Sequence, residues 1–220
     1  MTPEPVLVRK GGTGLLLHGR GGNGKRFSER LERSYLGQRI GLREENVVSP
    51  SGPVSLDKEG NEGGRAWWAF PEGVGRSYEA DEWIRSDEAI EIASREGRHC
   101  ELCIGFSQGA MLLAVLLAQG KLPDCRVAVI AGAGWPRPFA SSLESFRLRG
   151  NRPVGGSVRA PSILHVTSAE DLMNPRDQAL RVHGLLGGDV LEHGEGHVVP
   201  MEEGEVSDAI AQWINLRLAE

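Results

Sequence analysis

A serine between two glycines is the first candidate for chemistry in this sequence. The segment CIGFSQGAM (residues 103–111) places Ser107 in a G-x-S-x-G pattern between an apolar run and a helical pattern. On a sharp strand-to-helix turn, small residues such as Gly105 and Gly109 prevent collisions, and the N-terminus of the helix favours developing negative charge. The pentapeptide alone is common by chance, so its position carries the prediction of a nucleophile. The alternative is a Gly-Ser turn that only opens a buried helix.

A nucleophilic serine needs a base, and the base needs an acid that orients it. In α/β-hydrolases the acid and then the histidine follow the serine along the chain. Asp171 follows the apolar run SILHV, and His197 follows the run DVLEH. Both therefore lie beyond the carboxyl ends of predicted strands, where ligands bind in open α/β sheets. We predict Asp171 as the acid and His197 as the base, with Glu170 and His193 as their competitors.

The segment LLLHGRGGNGKRF (residues 15–27) allows two interpretations. From Gly19 it reads G-x-x-x-x-G-K, one residue short of a nucleotide-binding P-loop. A P-loop needs Ser or Thr directly after the lysine to hold magnesium, and that position is Arg26. We therefore expect Gly24 and Lys25 to begin a solvent-exposed helix instead.

The second interpretation makes the same segment an oxyanion loop. An oxyanion hole needs two hydrogen-bond donors. One is expected to be the backbone N–H of Gln108, directly after the candidate nucleophile. The other is the backbone N–H of Arg20, in the loop after the first predicted strand. We favour this interpretation over the P-loop.

The elements that must position these residues alternate along the chain. Short apolar runs followed by helical patterns are typical of a parallel sheet with helices on both faces, which is an α/β fold. The predicted strands are 14–18, 45–48, 100–105, 126–131, 161–167 and 189–192, and the predicted helices include 80–96, 107–119, 175–186 and 203–217. The helix over 107–119 is apolar nearly all round, so we expect it to be buried.

Two long segments, 50–79 and 132–160, show no regular period and are rich in Gly, Pro and aromatic residues. Connections of this length are usually functional or disordered. We predict a single domain over residues 1–220 in which both segments border the substrate site. Their candidate pocket walls are Trp67, Trp68, Trp135 and Phe139. In the alternative, these aromatic residues only pin long loops to the body of the protein.

Composition and charge exclude several classes of protein. With 25 basic and 30 acidic residues the net charge is -5, which argues against a nucleic-acid binder, since such a protein needs a basic face. The longest apolar stretch, 110–118, is too short to span a bilayer, and the first residues show no signal-peptide pattern. Three cysteines suit a reducing compartment. We expect a cytoplasmic protein, and the sequence specifies no oligomeric state.

Five motifs, in order, resemble the FSH family of serine hydrolases, small α/β-hydrolases that include fungal, plant and animal esterases and thioesterases. The first-loop pattern H-G-x-x-x-N-G/A-x-x-F is matched over residues 18–27, and RAWW at 65–68 matches an arginine-tryptophan element. The elbow GFSQG, the acid loop HVTSAEDLMNP and the base loop HGEGHVVP complete the set over roughly residues 12–217. The chain departs from the family pattern at Arg20, Ser168, Asn174 and Glu195. If the side chains of Arg20 and Glu195 reach the rim, they give the site a polar mouth.

The resemblance implies an α/β-hydrolase fold with a mostly parallel central sheet, and a serine esterase or thioesterase. Its substrate would be a small acyl ester or thioester, with no metal and no organic cofactor required. Ser107 would attack the acyl carbonyl, His197 would take the proton and Asp171 would hold the imidazole. The N–H groups of Gln108 and Arg20 would bind the oxyanion. An acyl-protein thioesterase-like carboxylesterase, which shares GFSQG, and a non-catalytic binding protein of the same fold are the alternatives.

Overall fold

The computed structural model describes residues 5, 7, 12–150 and 160–220 of the chain. The strands are β1 (Gly14–Leu17), β2 (Val47–Val48), β3 (Val54–Ser55), β4 (Arg65–Ala66), β5 (Leu102–Phe106), β6 (Val127–Ala131), β7 (Ser162–Ser168) and β8 (Asp189–His193). Six of them form one sheet in the order β2-β1-β5-β6-β7-β8, and every neighbouring pair in it is parallel. The predicted parallel sheet is confirmed.

Helices pack on both faces of this sheet, also as predicted. In the described ranges they are α1 (Gly24–Arg33), α2 (Tyr35–Ile40), α3 (Ser86–Glu96), α4 (Gln108–Ala118), α5 (Ala140–Leu148), α6 (Arg176–Leu186) and α7 (Glu205–Ala219). Side chains of α1, α2 and α7 share one apolar cluster with one face of the sheet, and those of α3 to α6 share a second cluster with the other face. None of these helices is long and apolar enough to cross a membrane.

The central helix α4 lies close against the strands because glycines occupy two contact positions, Gly105 in β5 and Gly109 in α4. All eleven residues of α4 are buried, as its apolar sequence predicts. A Cβ atom at Gly105 would lie 2.5 Å from the carbonyl oxygen of Gly109, and one at Gly109 would lie 2.1 Å from that of Leu17. Both contacts are too short for any other residue, so the G-x-S-x-G glycines permit the close approach of α4 to β1 and β5.

Two elements differ from the prediction. The helix predicted over 80–96 begins only at Ser86, because Ala69 and Ile84 exchange two backbone hydrogen bonds of 3.1 Å that hold Ile84 extended. This bridge closes a loop over 70–83, which we call the bridged loop. The segment 132–160 contains the helix α5, whose buried face consists of Leu143 and Phe146. Residues 151–159 of that segment lie outside the described residues.

Candidate active site

Ser107 lies on the turn that joins β5 to α4. Its backbone has φ of 54° and ψ of -116°, a conformation that is rare and costly for a residue with a side chain. Its N–H donates to the carbonyl oxygen of Ala131 at 3.0 Å, which fixes the turn against the end of β6. The strained backbone raises the hydroxyl above the carboxyl edge of the sheet, the geometry of a nucleophile elbow.

The side chains of Ser107, His197 and Asp171 form one chain of hydrogen bonds. His197 Nε2 lies 2.9 Å from Ser107 Oγ, and His197 Nδ1 lies 2.6 Å from Asp171 Oδ2. The three residues follow β5, β8 and β7, so the carboxyl edge of the parallel sheet brings together groups that are up to 90 positions apart. With the hydroxyl donating to Nε2 and Nδ1–H donating to the carboxylate, the arrangement can remove a proton from the serine.

Asp171 is held as a carboxylate by the loop around it. Burial opposes its ionisation, but hydrogen bonds from His197 and from the backbone N–H groups of Asn174 and Met173 outweigh burial, and the pKa of Asp171 lies below its ordinary value. The two N–H groups donate to Oδ1 at 2.8 and 2.9 Å, which leaves Oδ2 for the imidazole. An ionised, fixed carboxylate orients the imidazole and stabilises its charged form.

The two competing residues lie elsewhere. Glu170 is exposed to solvent, beside the buried Asp171. His193 ends β8, and its Nδ1 accepts from the N–H of Glu195 at 3.2 Å. Burial lowers the pKa of His193, against the nearby charges of Glu195 and Asp171. The structure therefore brings His197 and Asp171 to the serine, and it does not bring Glu170 or His193 there.

Two departures from the family pattern join loops of the site: Ser168 links the acid loop to the base loop, and Asn174 links it to the turn after β6. The hydroxyl of Ser168 accepts from the N–H of Glu170 at 3.1 Å and from that of Gly196 at 3.2 Å. Asn174 Nδ2 donates to the carbonyl oxygen of Gly132 at 2.7 Å. Gly132 itself has φ of 58°, and a Cβ atom there would lie 3.2 Å from the ring of His197. The sequence singled out Ser168 and Asn174 as unusual without indicating these bonds.

The first loop reaches the nucleophile. A Cβ atom at Gly19 would lie 3.2 Å from the Cβ of Ser107, so the peptide that carries the Arg20 N–H runs directly beside the serine. On the other side, Gln108 is the first residue of α4, where backbone N–H groups have no partner within the helix. Both expected oxyanion donors thus lie next to Ser107.

His18 anchors this first loop as a neutral imidazole. Its Nε2 accepts from the N–H of Gly52 at 3.0 Å, and its Nδ1 lies 2.8 Å from the carbonyl oxygen of Gly19 and donates to it. Burial, helped by the charge of Arg65, lowers the pKa of His18 to about 4, although the bond to Gly19 opposes the shift. A ring that stays neutral keeps one donor and one acceptor, as these two bonds require.

The RAWW element forms hydrogen bonds to both segments that carry the expected oxyanion donors. Trp67 Nε1 donates to the carbonyl oxygen of His18 at 2.8 Å, and the N–H of Trp67 donates to Gln108 Oε1 at 3.0 Å. Gln108 Nε2 in turn lies 3.4 Å from the carbonyl oxygen of Trp68. Arg65 bonds the carbonyl oxygens of Gly52 and Pro53. This element therefore positions the loop and the helix start that flank Ser107.

Two cavities open beside the hydrogen-bonded side chains. The first, which we call the Ser107 cavity, has a volume of about 160 Å³ and is lined by Ser107 and Gln108 together with residues of the first loop, the bridged loop, α4 and the acid loop. The second, the His197 cavity, has a volume of about 90 Å³ and is lined by His197, Phe106, apolar residues of the base loop, and Phe27 and Arg30 of α1. The ring of Phe106 packs against that of His197 at 4.9 Å between centroids.

The four aromatic residues expected as pocket walls line neither of these cavities. Trp67 and Trp68 are fully buried, and their indole N–H groups bond His18 and Ser77. Trp135 is buried beneath the guanidinium of Arg181, and Phe139 packs on Trp83 in the core. The expectation that these side chains form the pocket walls does not match their positions, because each packs in or against the hydrophobic core.

The walls include residues that the sequence analysis did not name. Phe70 and Arg76 come from the bridged loop, Met111 from α4 and Met173 from the acid loop. Only their proximity to motifs along the chain could have indicated them. Of the two expected rim residues, Arg20 lines the Ser107 cavity, whereas the exposed Glu195 lines neither cavity.

The features of a P-loop do not assemble at the first loop. Asn23 caps α1, with its Oδ1 accepting from the N–H of Arg26 at 2.9 Å, so the helix begins at Gly24 as predicted. The side chain of Lys25 is 85% exposed and pairs with Glu29 at 3.9 Å along the helix. Within the described ranges there is also no group of three or more His, Cys, Asp or Glu side chains arranged to hold a metal ion.

The fold and the elbow define an α/β-hydrolase, and comparisons with known structures agree. The carboxylesterase of Bacillus cereus superposes with a TM-score of 0.58 at 20% identity, covering 94% of this chain and 88% of that one. Acyl-protein thioesterase 2 of Zea mays superposes with a TM-score of 0.59 at 22% identity, covering 94% of both chains. At such low identities these likenesses establish the fold.

Sequence comparison identifies the family. The serine hydrolase (FSH1) family matches residues 9–209. The chain is also 30% identical over 216 residues to the protein named esterase OVCA2 of Danio rerio, covering 84% of this chain and 89% of that one. The protein therefore belongs to the FSH1 family of serine hydrolases, and the resemblance found in the sequence is confirmed.

Proposed function

We propose that this serine hydrolase cleaves carboxylic esters or thioesters of small acyl compounds through an acyl-enzyme on Ser107. The observation that carries the proposal is the hydrogen-bonded chain from Ser107 Oγ through His197 to Asp171, with distances of 2.9 and 2.6 Å. The name of the Danio rerio relative, an esterase, supports the reaction class. The buried, ionised Asp171 supports the role of His197 as the base.

Acylation begins with attack of Ser107 Oγ on the acyl carbonyl carbon, while the hydroxyl proton moves to His197 Nε2. The carbonyl oxygen becomes an oxyanion, and the N–H groups of Gln108 and Arg20 donate to it. When the tetrahedral intermediate collapses, the bond to the leaving group breaks. The leaving oxygen or sulfur then takes the proton from Nε2 and departs as an alcohol or thiol.

Deacylation repeats these steps with water. His197 Nε2 removes a proton from water, whose oxygen attacks the acyl carbon of the ester on Ser107. Collapse of the second intermediate returns the proton to Ser107 Oγ and releases the carboxylic acid. Asp171 stays ionised throughout and holds the ring by its bond to Nδ1.

Covalent labelling tests the proposal directly. A fluorophosphonate probe phosphonylates an activated serine, so we expect mass spectrometry to find the label on the peptide that contains Ser107. The variant Ser107→Ala should keep the fold, because alanine is equally small at the turn, and should lose both the label and ester hydrolysis. Stoichiometric labelling of another residue would overturn Ser107 as the nucleophile. A wild-type protein that neither labels nor hydrolyses any ester would be a non-catalytic member of the fold.

A substrate panel then distinguishes esters from thioesters. Matched oxygen and sulfur esters of the same acyl group share every acyl contact, so the ratio of their kcat/KM values reports on the leaving group alone. The His197 cavity, which is mostly lined by apolar residues, has room for a small alcohol or thiol portion. We expect both to be turned over, with a similar dependence on the acyl group.

A further inference from the structure

The two cavities have different places in the proposed reaction, and this inference rests on that function. His197 must deliver its proton to the leaving atom, so the leaving group has to lie within hydrogen-bond reach of Nε2. His197 itself lines the His197 cavity. The acyl group stays bonded to Ser107, with its oxygen toward Gln108 and Arg20, and the Ser107 cavity adjoins all three residues. The Ser107 cavity is therefore the acyl side.

Two arginines line the acyl side, whereas one, Arg30, lines the His197 cavity. Arg20 and Arg76 both line the Ser107 cavity, and none of the lining residues described by the structure carries a carboxylate. The protein has 30 acidic residues and a net charge of -5, so a lining without carboxylates does not follow from the composition. A cavity that brings two guanidinium groups together without an acidic side chain is complementary to an anion.

Apolar groups line the same cavity as these charges. Phe70 and Met111 line the same cavity. The guanidinium of Arg20 lies over the ring of Phe70, 5.0 Å from its centroid, and Arg76 Nη1 lies 3.0 Å from Met173 Sδ. An acyl group in this cavity therefore contacts both apolar walls and guanidinium groups.

We propose that the Ser107 cavity binds a short acyl group that ends in a carboxylate, with Arg76 as the residue that recognises this carboxylate. The volume of about 160 Å³ limits the length of the chain, since one water-sized group occupies about 30 Å³. The substrate class is thus the monoesters or monothioesters of short dicarboxylic acids.

Two esters of the same shape test the proposal. Methyl hydrogen glutarate carries a carboxylate at the far end of its acyl chain, and methyl 5-methylhexanoate carries an isopropyl group of similar size at the same place. With proton release followed at about pH 7.5, where the carboxylate is ionised, we expect wild-type kcat/KM to be about tenfold or more higher for the glutarate. Added salt should reduce this ratio, because Arg76 is only partly buried and its charge is screened by ions in solution.

Charge variants identify the residue responsible. Arg76→Gln should lower the ratio of the two kcat/KM values about tenfold, and Arg76→Glu should lower it further. The control is Arg98→Gln, which removes the same charge from an exposed position between α3 and β5, at the opposite end of the sheet. It should keep the wild-type ratio, which excludes an effect of net charge alone.

The outcomes separate this inference from the proposed function. Hydrolysis of both esters with a wild-type ratio of one or less would overturn the carboxylate specificity and leave the esterase function standing. A high ratio that survives in both Arg76 variants would overturn the assignment to Arg76. If the wild-type protein neither hydrolyses any ester nor takes the fluorophosphonate label, the proposed function fails and this inference fails with it.

Discussion

His197 makes the two contacts that a general base requires, one to the serine and one to a carboxylate, while His193 makes neither in the structure. We predict that His197→Ala lowers kcat about as much as Ser107→Ala, leaving a residual rate on the order of 10³ over water. His193→Ala should retain most of the activity. The check is kcat measured for purified, folded variants, and the reverse ranking would transfer the base to His193.

The acid is tested in the same way. Asp171→Asn should lower kcat by about 10⁴, because the amide no longer fixes the tautomer of His197. Glu170→Gln provides the matched control on the neighbouring, exposed residue. A harmless Asp171→Asn together with an inactive Glu170→Gln would contradict the assignment.

Gly132 carries a prediction about the position of the imidazole. Its φ of 58° and the distance of 3.2 Å between a Cβ atom there and the ring of His197 mean that Gly132→Ala both strains the backbone and displaces the ring. We expect a loss of about 1–2 kcal/mol in the free energy of unfolding and a fall in kcat of at least about tenfold.

Gly60 supplies the control for this substitution. It has φ of 79°, and a Cβ atom there would contact nothing within 4 Å. Gly60→Ala therefore shares the strain without the contact, so denaturation should show a similar loss of stability and kcat should be unchanged. Equal kcat values for the two alanine variants would show that the contact with His197 has no catalytic effect.

At the scale of the elements, the RAWW segment determines where the oxyanion donors lie. Trp67→Phe removes the indole N–H that bonds the carbonyl oxygen of His18, while a ring remains in the core. An unpaired buried carbonyl group costs about 1–3 kcal/mol, and the first loop should shift. We predict a lower kcat with little change in KM, because the oxyanion forms only in the transition state.

Trp213 offers a matched comparison for Trp67. Its indole N–H donates to Asp189 Oδ2 at 2.8 Å, on α7 and far along the chain from the first loop. Trp213→Phe should leave kcat unchanged. If Trp67→Phe also keeps the wild-type kcat and loses only stability, then the bond to His18 has a structural role alone.

The sequence indicated the elements that end at the site better than those that surround it. The strands before Ser107 and Asp171 are buried, so their apolar runs are unambiguous. The strand before His197 is largely exposed, but its parallel pairing with β7 sends its carboxyl end to the same edge. The helix α5 has a mixed pattern and was not predicted. Whether an aromatic side chain faces a cavity or the core depends on tertiary packing, which the sequence pattern does not show. For this reason the prediction that Trp67 and Trp135 form pocket walls was wrong.

For the whole molecule, two buried neutral histidines give a prediction about pH. Burial lowers the pKa of His18 to about 4, and burial together with nearby His183 lowers the pKa of His165 to about 4 against its bond to Gly187. Between about pH 6.5 and pH 4 the unfolded chain binds protons at these sites and the folded chain does not. The free energy of unfolding should therefore fall as pH drops through this window, by at most about 3 kcal/mol for each histidine, and level off near pH 4.

Urea denaturation at several pH values checks this sign. His165→Gln removes one of the two titrating rings, so its stability should depend less steeply on pH between about 6.5 and 4 than that of the wild-type protein. His99→Gln is the control, because His99 is exposed and pairs with Asp124 at the surface. Parallel pH profiles for His165→Gln and the wild-type protein would contradict the prediction.

The bridge between Ala69 and Ile84 makes the bridged loop an exchangeable unit. Its two ends are joined by backbone bonds, it supplies Phe70 and Arg76 to the acyl side, and it contributes no strand to the six-stranded sheet. We therefore expect changes at the cavity-facing positions of this loop to alter substrate choice while the serine, histidine and aspartate stay in place. A graft designed on the same principle would keep Ser77, because its hydroxyl and carbonyl oxygens accept the indole N–H groups of Trp68 and Trp83, and would vary only the residues that face the cavity.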